Sequence, residues 1–416
     1  MTNWVDHTLW WHVYPLGFTG APVRPSSDAE RAPTPRLDRL EPWFDHLISL
    51  GANGLALGPV FASETHGYDT TDFFRIDPRL GDDAAFDRLV EACRSRGVRI
   101  LLDGVFNHVG ETHPAFVEAR AGGASRELFR FRADGEHEDF EGHHGLVALD
   151  HSSPAVADLV VDVMTHWLGR GADGWRLDAA YAVPPEFWTR VLPRVRERFP
   201  DAWFVGEVIH GDYAAVVAES GLDSVTQYEL WKAIWSSIRD GNFHELDWNL
   251  RRHDGFLESF TPLTFVGNHD VTRIATQVGQ DGAVLAATVL FTVGGVPSVY
   301  YGDESGYTGT KTERLGGDDE VRPPFPDSPA DLSPLGEGML RVYRELVGVR
   351  RRNPWLVRAH TTALRVDNRV YEYESCGPGG ESLRVLLTLD PTPAAEVTEQ
   401  GDDGPRTIRL DLPAAG

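Results

Sequence analysis

A chain of 416 residues is longer than one hydrophobic core usually supports, so the starting expectation is a large domain of about 250 to 350 residues with a smaller companion. Lys and Arg total 39 against 63 Asp and Glu, and the net charge of −24 repels phosphate backbones and anionic membrane surfaces, which argues against nucleic-acid and membrane partners. Two distant cysteines, Cys93 and Cys376, exclude a disulfide framework, and Met1 to His7 has no basic start leading into an apolar stretch, so the protein is read as cytoplasmic.

In chain order, short apolar runs predict strands at Leu9 to Leu16, Gly54 to Phe61, Val98 to Phe106, Trp175 to Ala180, Trp203 to Ile209, Ser224 to Leu230, Leu263 to Val266 and Val296 to Tyr301. Helical spacing separates them. Leu37, Leu40, Phe44, Leu47 and Ile48 end at Gly51; Phe86, Leu89, Val90 and Cys93 are opened by Asp82 and Asp83 and closed by Gly97; Met339, Val342, Leu346 and Val349 follow the eighth run. Strands apolar on both faces, alternating with helices, predict an α/β fold: a parallel (β/α)8 TIM barrel, with a doubly wound open sheet as the alternative. The polar, Gly- and His-rich connection from the strand ending near His108 to a helix starting near Pro154 is too long for a plain loop and reads as an inserted small domain, residues 109–153. After Pro354 the pattern turns to alternation, in Arg369 to Tyr373 and Leu383 to Leu389, with turns at Gly377 to Gly380 and Gly401 to Pro405. That predicts a C-terminal antiparallel β domain over 355–416 and leaves 1–108 and 154–354 to the barrel. The most apolar stretch, Ala283 to Tyr301, is interrupted by Gly294, Gly295 and Pro297 and is read as core, not as a membrane span.

Chemistry in such a barrel sits at the C-terminal ends of the strands. Four runs place acids or histidines there: Asp103-Gly-Val-Phe-Asn-His108 on the third strand, Gly174-Trp-Arg-Leu-Asp178 on the fourth, Gly206-Glu-Val208 on the fifth and Phe265-Val-Gly-Asn-His-Asp270 on the seventh. One such run alone is explained by a helix cap; four in register on different strands are not. Arg176 and Asp178 are two apart on a strand and share a face, so the cation holds Asp178 ionised, as a nucleophile requires. Glu207, on the adjacent strand, is expected to be crowded by Asp178 and Asp270 and so to suit a proton donor. One attacking and one protonating carboxyl are what retaining glycoside cleavage needs, at a separation of about 5 to 5.5 Å.

These runs, with His66-Gly-Tyr-Asp69 after the second strand and Gly294-Gly-Val-Pro-Ser-Val-Tyr-Tyr-Gly-Asp-Glu304 at the eighth, resemble the conserved segments of the α-amylase family, glycoside hydrolase family 13, from about Trp10 to Arg350. The resemblance implies a barrel with an inserted domain after the third strand and a C-terminal β domain. It makes Asp178 the nucleophile, Glu207 the general acid/base and Asp270 the acid that holds the sugar hydroxyls. Arg176, His108 and His269 become residues around the reacting sugar, Tyr68 the aromatic platform beneath it, and Asp69 an acid that braces the arginine. Asp318 and Arg322 become the pair that grips the next glucose, although Asp318, Asp319 and Glu320 read equally well as a charged surface turn. Asn107 matches a calcium ligand of many relatives, without a convincing set of partner oxygens, so no cofactor is required and calcium is left open.

Trp10, Trp11, Trp175 and Trp188 lie in or beside core elements and are read as packing residues, and His143 and His144 as solvated loop residues. The expected function is retaining cleavage of α-glucosidic bonds, α-1,4 first, in short soluble gluco-oligosaccharides, with transglycosylation or disaccharide isomerisation by the same residues as the alternative. A binding or chaperone-like barrel without catalysis is at odds with the intact Asp178, Glu207 and Asp270. A metal-dependent hydrolase built on Asp103, His108 and His269 lacks a spaced histidine pair. The sequence gives no reading of oligomeric state.

Overall fold

The structure, a computed structural model, describes residues 4–401 and 404–412. Met1 to Asn3 of the N-terminal stretch, Asp402 and Asp403 of the expected last turn, and the final residues 413–416 of the C-terminal domain lie outside the described residues. One eight-stranded sheet comprises β1 (Trp10–Val13), β2 (Gly54–Leu57), β3 (Arg99–Gly104), β4 (Gly174–Leu177), β5 (Trp203–Gly206), β6 (Ser224–Val225), β7 (Leu263–Phe265) and β8 (Val296–Tyr300). The fold is the (β/α)8 barrel with a separate antiparallel sheet near the C-terminus. The strands are shorter than the apolar runs that announce them because burial continues past the hydrogen-bonded ladder. Leu16, for example, is buried in a short helical turn, Pro15–Phe18. The sixth run divides: after two strand residues, Gln227 accepts from the Leu230 N–H and starts the helix Tyr228–Asp240.

The chain packs as two compact units. The first comprises Val13–Phe44 and Gly54–Val225, and in it β2 to β6 lie side by side in sequence order, each pairing parallel with the next. Crossover helices make this order possible. The helix Asp83–Ser95 buries Phe86, Leu89, Val90 and Cys93; Asp82 caps it by accepting from the Ala85 N–H at 2.8 Å, and Gly97 (φ 67°) follows it in the left-handed region. Register places Arg176 opposite both Asp103 of β3 and Val205 of β5. The helix Pro154–Gly169 precedes β4, and between β3 and that helix lies a three-stranded sheet of His108–Gly110, Asp139–Phe140 and His143–Ala148, with a helix at Pro114–Arg120. This corrects the reading of the third run: β3 stops at Gly104, and His108 already pairs with Ala148 in the small sheet. His143 and His144 open the last strand of that sheet and are exposed.

The second unit comprises Met1–His12, Asp45–Asn53 and Thr226–Gly416. Here β8 lies between β1 and β7, with Trp11 opposite Val299 and Phe265 opposite Ser298. Five antiparallel strands follow as a meander: β9 (His360–Val366), β10 (Val370–Cys376), β11 (Ser382–Thr388), β12 (Ala394–Gly401) and β13 (Gly404–Leu410). Alternation buries Tyr371, Tyr373, Leu383, Val385, Leu387, Ala395 and Val397 on one face. The expected helix from Leu37 to Ile48 is a 3-10 stretch, Arg36–Trp43, followed by an α-helix, Phe44–Leu50, because Pro42 cannot supply an N–H to a continuous helix. The helix Ile274–Thr292 is long and apolar enough to cross a membrane by length and composition, and 67% of its most apolar window is buried within the protein. Gly279 (φ 76°, ψ 170°) breaks it, and the part beyond, residues 280–292, rises only about 20 Å against a bilayer core of about 30 Å.

Candidate active site

In the first unit the chemistry gathers around Arg176, at the end of β4. Its Nη1 donates to both oxygens of Asp103 at 2.7 Å and to Asp178 Oδ1 at 3.1 Å, while Nη2 lies 2.6 Å from Glu207 Oε1. The arginine and all three acids are buried, which is tolerable because the acids converge on one cation. Burial alone would lower the guanidinium pKa, but Asp103 first and Glu207 next hold it well above the ordinary arginine range. The backbone adds to the arrangement. Ala179, directly after Asp178, sits in the left-handed region (φ 45°, ψ 37°), uncommon without glycine, and its N–H donates to Glu207 Oε2 at 2.9 Å. The guanidinium of Arg176 thus lies between Glu207 and the carboxylate of Asp178 that the sequence places beside it.

Asp103 also accepts from the Tyr68 hydroxyl at 3.1 Å, so the acid that braces Arg176 also anchors Tyr68. Asp69, expected to be the brace, instead accepts from the Thr65 N–H at 3.0 Å and from the Thr65 hydroxyl, closing its own turn. His108 is held from both ring nitrogens: Asn107 Nδ2 donates to Nδ1 at 3.1 Å, and Nε2 donates to the Tyr68 carbonyl at 3.0 Å. Burial pushes its pKa down to about 4, in keeping with this neutral tautomer, and its ring stacks on Phe140 with centroids 4.8 Å apart. His108 thus holds the loop that presents the half-buried Tyr68. The Nδ2 of Asn107 is engaged with His108, and among the described residues no three His, Cys, Asp or Glu side chains converge as a metal ion could use.

The second unit carries the other sequence candidates. Asn268 Oδ1 accepts from the Asp270 N–H at 2.8 Å, and His269 Nε2 lies 2.9 Å from Asp270 Oδ2. Arg322 Nη2 donates to Asp270 Oδ1 at 2.8 Å and lies 3.2 Å from Asp318 Oδ2, while its Nε donates to the His269 carbonyl at 2.8 Å. Asp318 leads into a 3-10 turn, Asp319–Val321, and stands 3.5 Å from Lys311 Nζ. Of the two readings of this segment, the charged turn is present, and beside it Arg322 is buried and directed at Asp270.

One role and one residue lie beyond what the sequence shows. Asp103 stands out in the sequence as a strand-end acid, but its hold on Arg176 through both oxygens follows only from strand register. Tyr181, whose hydroxyl donates at 2.9 Å to Glu141 in the turn between two strands of the inserted sheet, carries no signal in the sequence.

Strand-end carboxylates around a buried guanidinium in a parallel barrel define a paired-acid centre on a (β/α)8 scaffold. The sequence profile of the alpha amylase catalytic domain matches residues 41–144 and 137–332, and the chain belongs to the α-amylase family. It is 30% identical over 337 residues to a cyclomaltodextrinase of a Bacillus species, covering 74% of this chain and 60% of that protein. Neopullulanase 2 of Thermoactinomyces vulgaris is 30% identical over 364 residues, covering 81% and 58%. The chain therefore spans about 60% of the length of these relatives. Among solved structures, a cyclic α-maltosyl-(1→6)-maltose hydrolase from Arthrobacter globiformis superposes in its ligand-free form with a TM-score of 0.79 at 27% identity, covering 99% of both chains. Its complex with that cyclic sugar gives a TM-score of 0.81 at 26% identity.

Proposed function

We propose that the protein is a retaining glycoside hydrolase that cleaves α-glucosidic bonds, α-1,4 first, in short soluble gluco-oligosaccharides. The observation that carries this reading is the single guanidinium of Arg176 shared by Asp178 and Glu207. In the first step Asp178 attacks the anomeric carbon and becomes a neutral ester, while Glu207 gives its proton to the leaving oxygen and becomes the carboxylate. The negative charge moves from one partner of Arg176 to the other, so the cation faces one charge from the pair before and after the step. Asp103, holding Arg176 through both oxygens, keeps the cation from following either partner. Water deprotonated by Glu207 then releases the sugar with its configuration kept. Tyr68 supplies a face for the sugar's C–H surface, and Asp270, steadied by His269 and Arg322, takes sugar hydroxyls in the transition state.

The chemistry asks for two carboxyls and a cation and no cofactor. The relatives' names point to small maltose-built substrates, cyclomaltodextrin and cyclic maltosyl-maltose, which supports a short soluble substrate, and a relative named intracellular maltogenic amylase supports a cytoplasmic setting. Incubation with maltose, maltotriose, trehalose and sucrose tests the reading. Glucose and maltose from maltotriose, appearing first as the α-anomer by NMR, are expected. A β-anomeric first product, rearranged disaccharides as the main product, or inertness toward all four would overturn it.

A further inference from the structure

Arg322 reaches Asp270 from a long connection after β8 that has little regular structure, so something other than a ladder must fix it. Its backbone is tied on both sides by buried donors. The Val321 carbonyl accepts from Arg273 Nη2 at 2.9 Å and from the Tyr300 hydroxyl at 3.0 Å, and the Pro323 carbonyl accepts from the Tyr301 hydroxyl at 2.8 Å. Arg273 is itself fixed, by Asp303 Oδ1 at 2.9 Å and the Tyr301 carbonyl at 2.6 Å, with its guanidinium 4.3 Å over the Tyr300 ring. Arg273, Tyr300 and Tyr301 are all buried. Two adjacent residues at the end of β8 thus hold the two carbonyls that flank Arg322. A small rotation of that backbone would be magnified at the guanidinium, which sits at the end of a long side chain and directs its Nη2 at the Asp270 carboxylate.

We propose that Tyr300, Tyr301 and Arg273 are positioning residues, a clamp that sets Arg322 and through it the orientation of the Asp270 carboxylate. The proposal rests on the reading of Asp270 as a required acid. Tyr301→Phe and Tyr300→Phe each remove one hydroxyl without changing shape, so both variants should fold. Each is expected to lower kcat about tenfold, with KM moved less, because misplacement remote from the reacting atoms acts through the transition state. Loss of stability alone would follow from any structural role, so a double-mutant cycle decides. In an Arg322→Lys background, Tyr301→Phe should cause no further loss of kcat, whereas an additive tenfold loss would overturn the clamp. A crystal structure of the Tyr301→Phe variant serves if Arg322→Lys is inert: loss of the Arg322 to Asp270 contact is expected, and its retention overturns the proposal. Asp270→Asn separates this from the parent reading. Turnover surviving in Asp270→Asn removes the role of Asp270 and the clamp with it. An inactive Asp270→Asn alongside wild-type kcat in both phenylalanine variants removes the clamp alone.

Discussion

Replacing Arg176 by lysine keeps the charge and removes the fork, which makes it the most informative single change in the first unit. The guanidinium meets Asp103 and Asp178 through one nitrogen and Glu207 through the other, at 2.6 to 3.1 Å. A lysine ammonium is one point and cannot span both groups, so at least one charge-assisted hydrogen bond to a buried carboxylate is lost. Such a bond contributes about 1.5 to 3 kcal/mol, and Arg176→Lys should lower unfolding free energy by about that amount. Arg176→Met, which leaves the acids buried without any cation, should cost about 3 to 5 kcal/mol. Turnover should fall further than stability would suggest, by about 10²-fold for lysine, because Asp178 and Glu207 both lose their placement. The assay pairs urea unfolding with kcat on maltotriose, at a temperature where the variant is folded by circular dichroism. A lysine variant with wild-type stability and turnover would refute the reasoning. One that is destabilised but fully active would reduce Arg176 to a structural ion pair.

Tyr68→Ala should reduce kcat/KM by the equivalent of about 1 to 3 kcal/mol through lost packing on the sugar, while Tyr68→Phe, which loses only the hydrogen bond to Asp103, should cost about 1 kcal/mol; equal, wild-type kinetics in both would make Tyr68 a bystander. His253 provides a test of acid stability. Burial pushes its pKa down to about 4, against about 6.5 in an unfolded chain, and its Nε2 donates to the Gly294 carbonyl while Nδ1 accepts from Gln227 Nε2. The unfolded state therefore takes up this proton first, so the contribution is level above pH 6.5 and stability declines as pH falls toward 4, by about 3 kcal/mol in all. His253→Gln should flatten that part of the urea midpoint against pH profile, and an unchanged acid slope would show that His253 does not drive it.

Much of the barrel was legible because its signals are local: apolar runs for the strands, and Asp82 and Gly97 for one helix's ends. Misreadings arose where burial and regular structure part company. Val105 and Phe106 are buried beyond the end of β3, so the run to His108 looks like one continuous strand although the ladder stops at Gly104. The apolar spacing around Pro42 is helical, so it hides the break that the proline imposes. The candidate acids stood out as charges ending apolar runs, but their partners did not. Whether Asp69 or Asp103 braces Arg176 depends on strand register, and Arg322 reaching Asp270 depends on a loop with no periodicity to read. Tyr300 and Tyr301 look like ordinary strand residues, and only their hydroxyl partners give them another meaning.

The central claim, a covalent sugar on Asp178 with Glu207 handling the proton, is tested most directly by mass spectrometry of the Glu207→Gln variant exposed to α-maltosyl fluoride. Fluoride leaves without a proton donor, so the first step should proceed, while release by water, lacking its base, should be slow. The account predicts a protein heavier by one maltosyl unit, with the sugar mapped to the peptide carrying Asp178, and no adduct in Asp178→Ala. Fluoride released with no adduct at any time, or an adduct on a different residue, would contradict it.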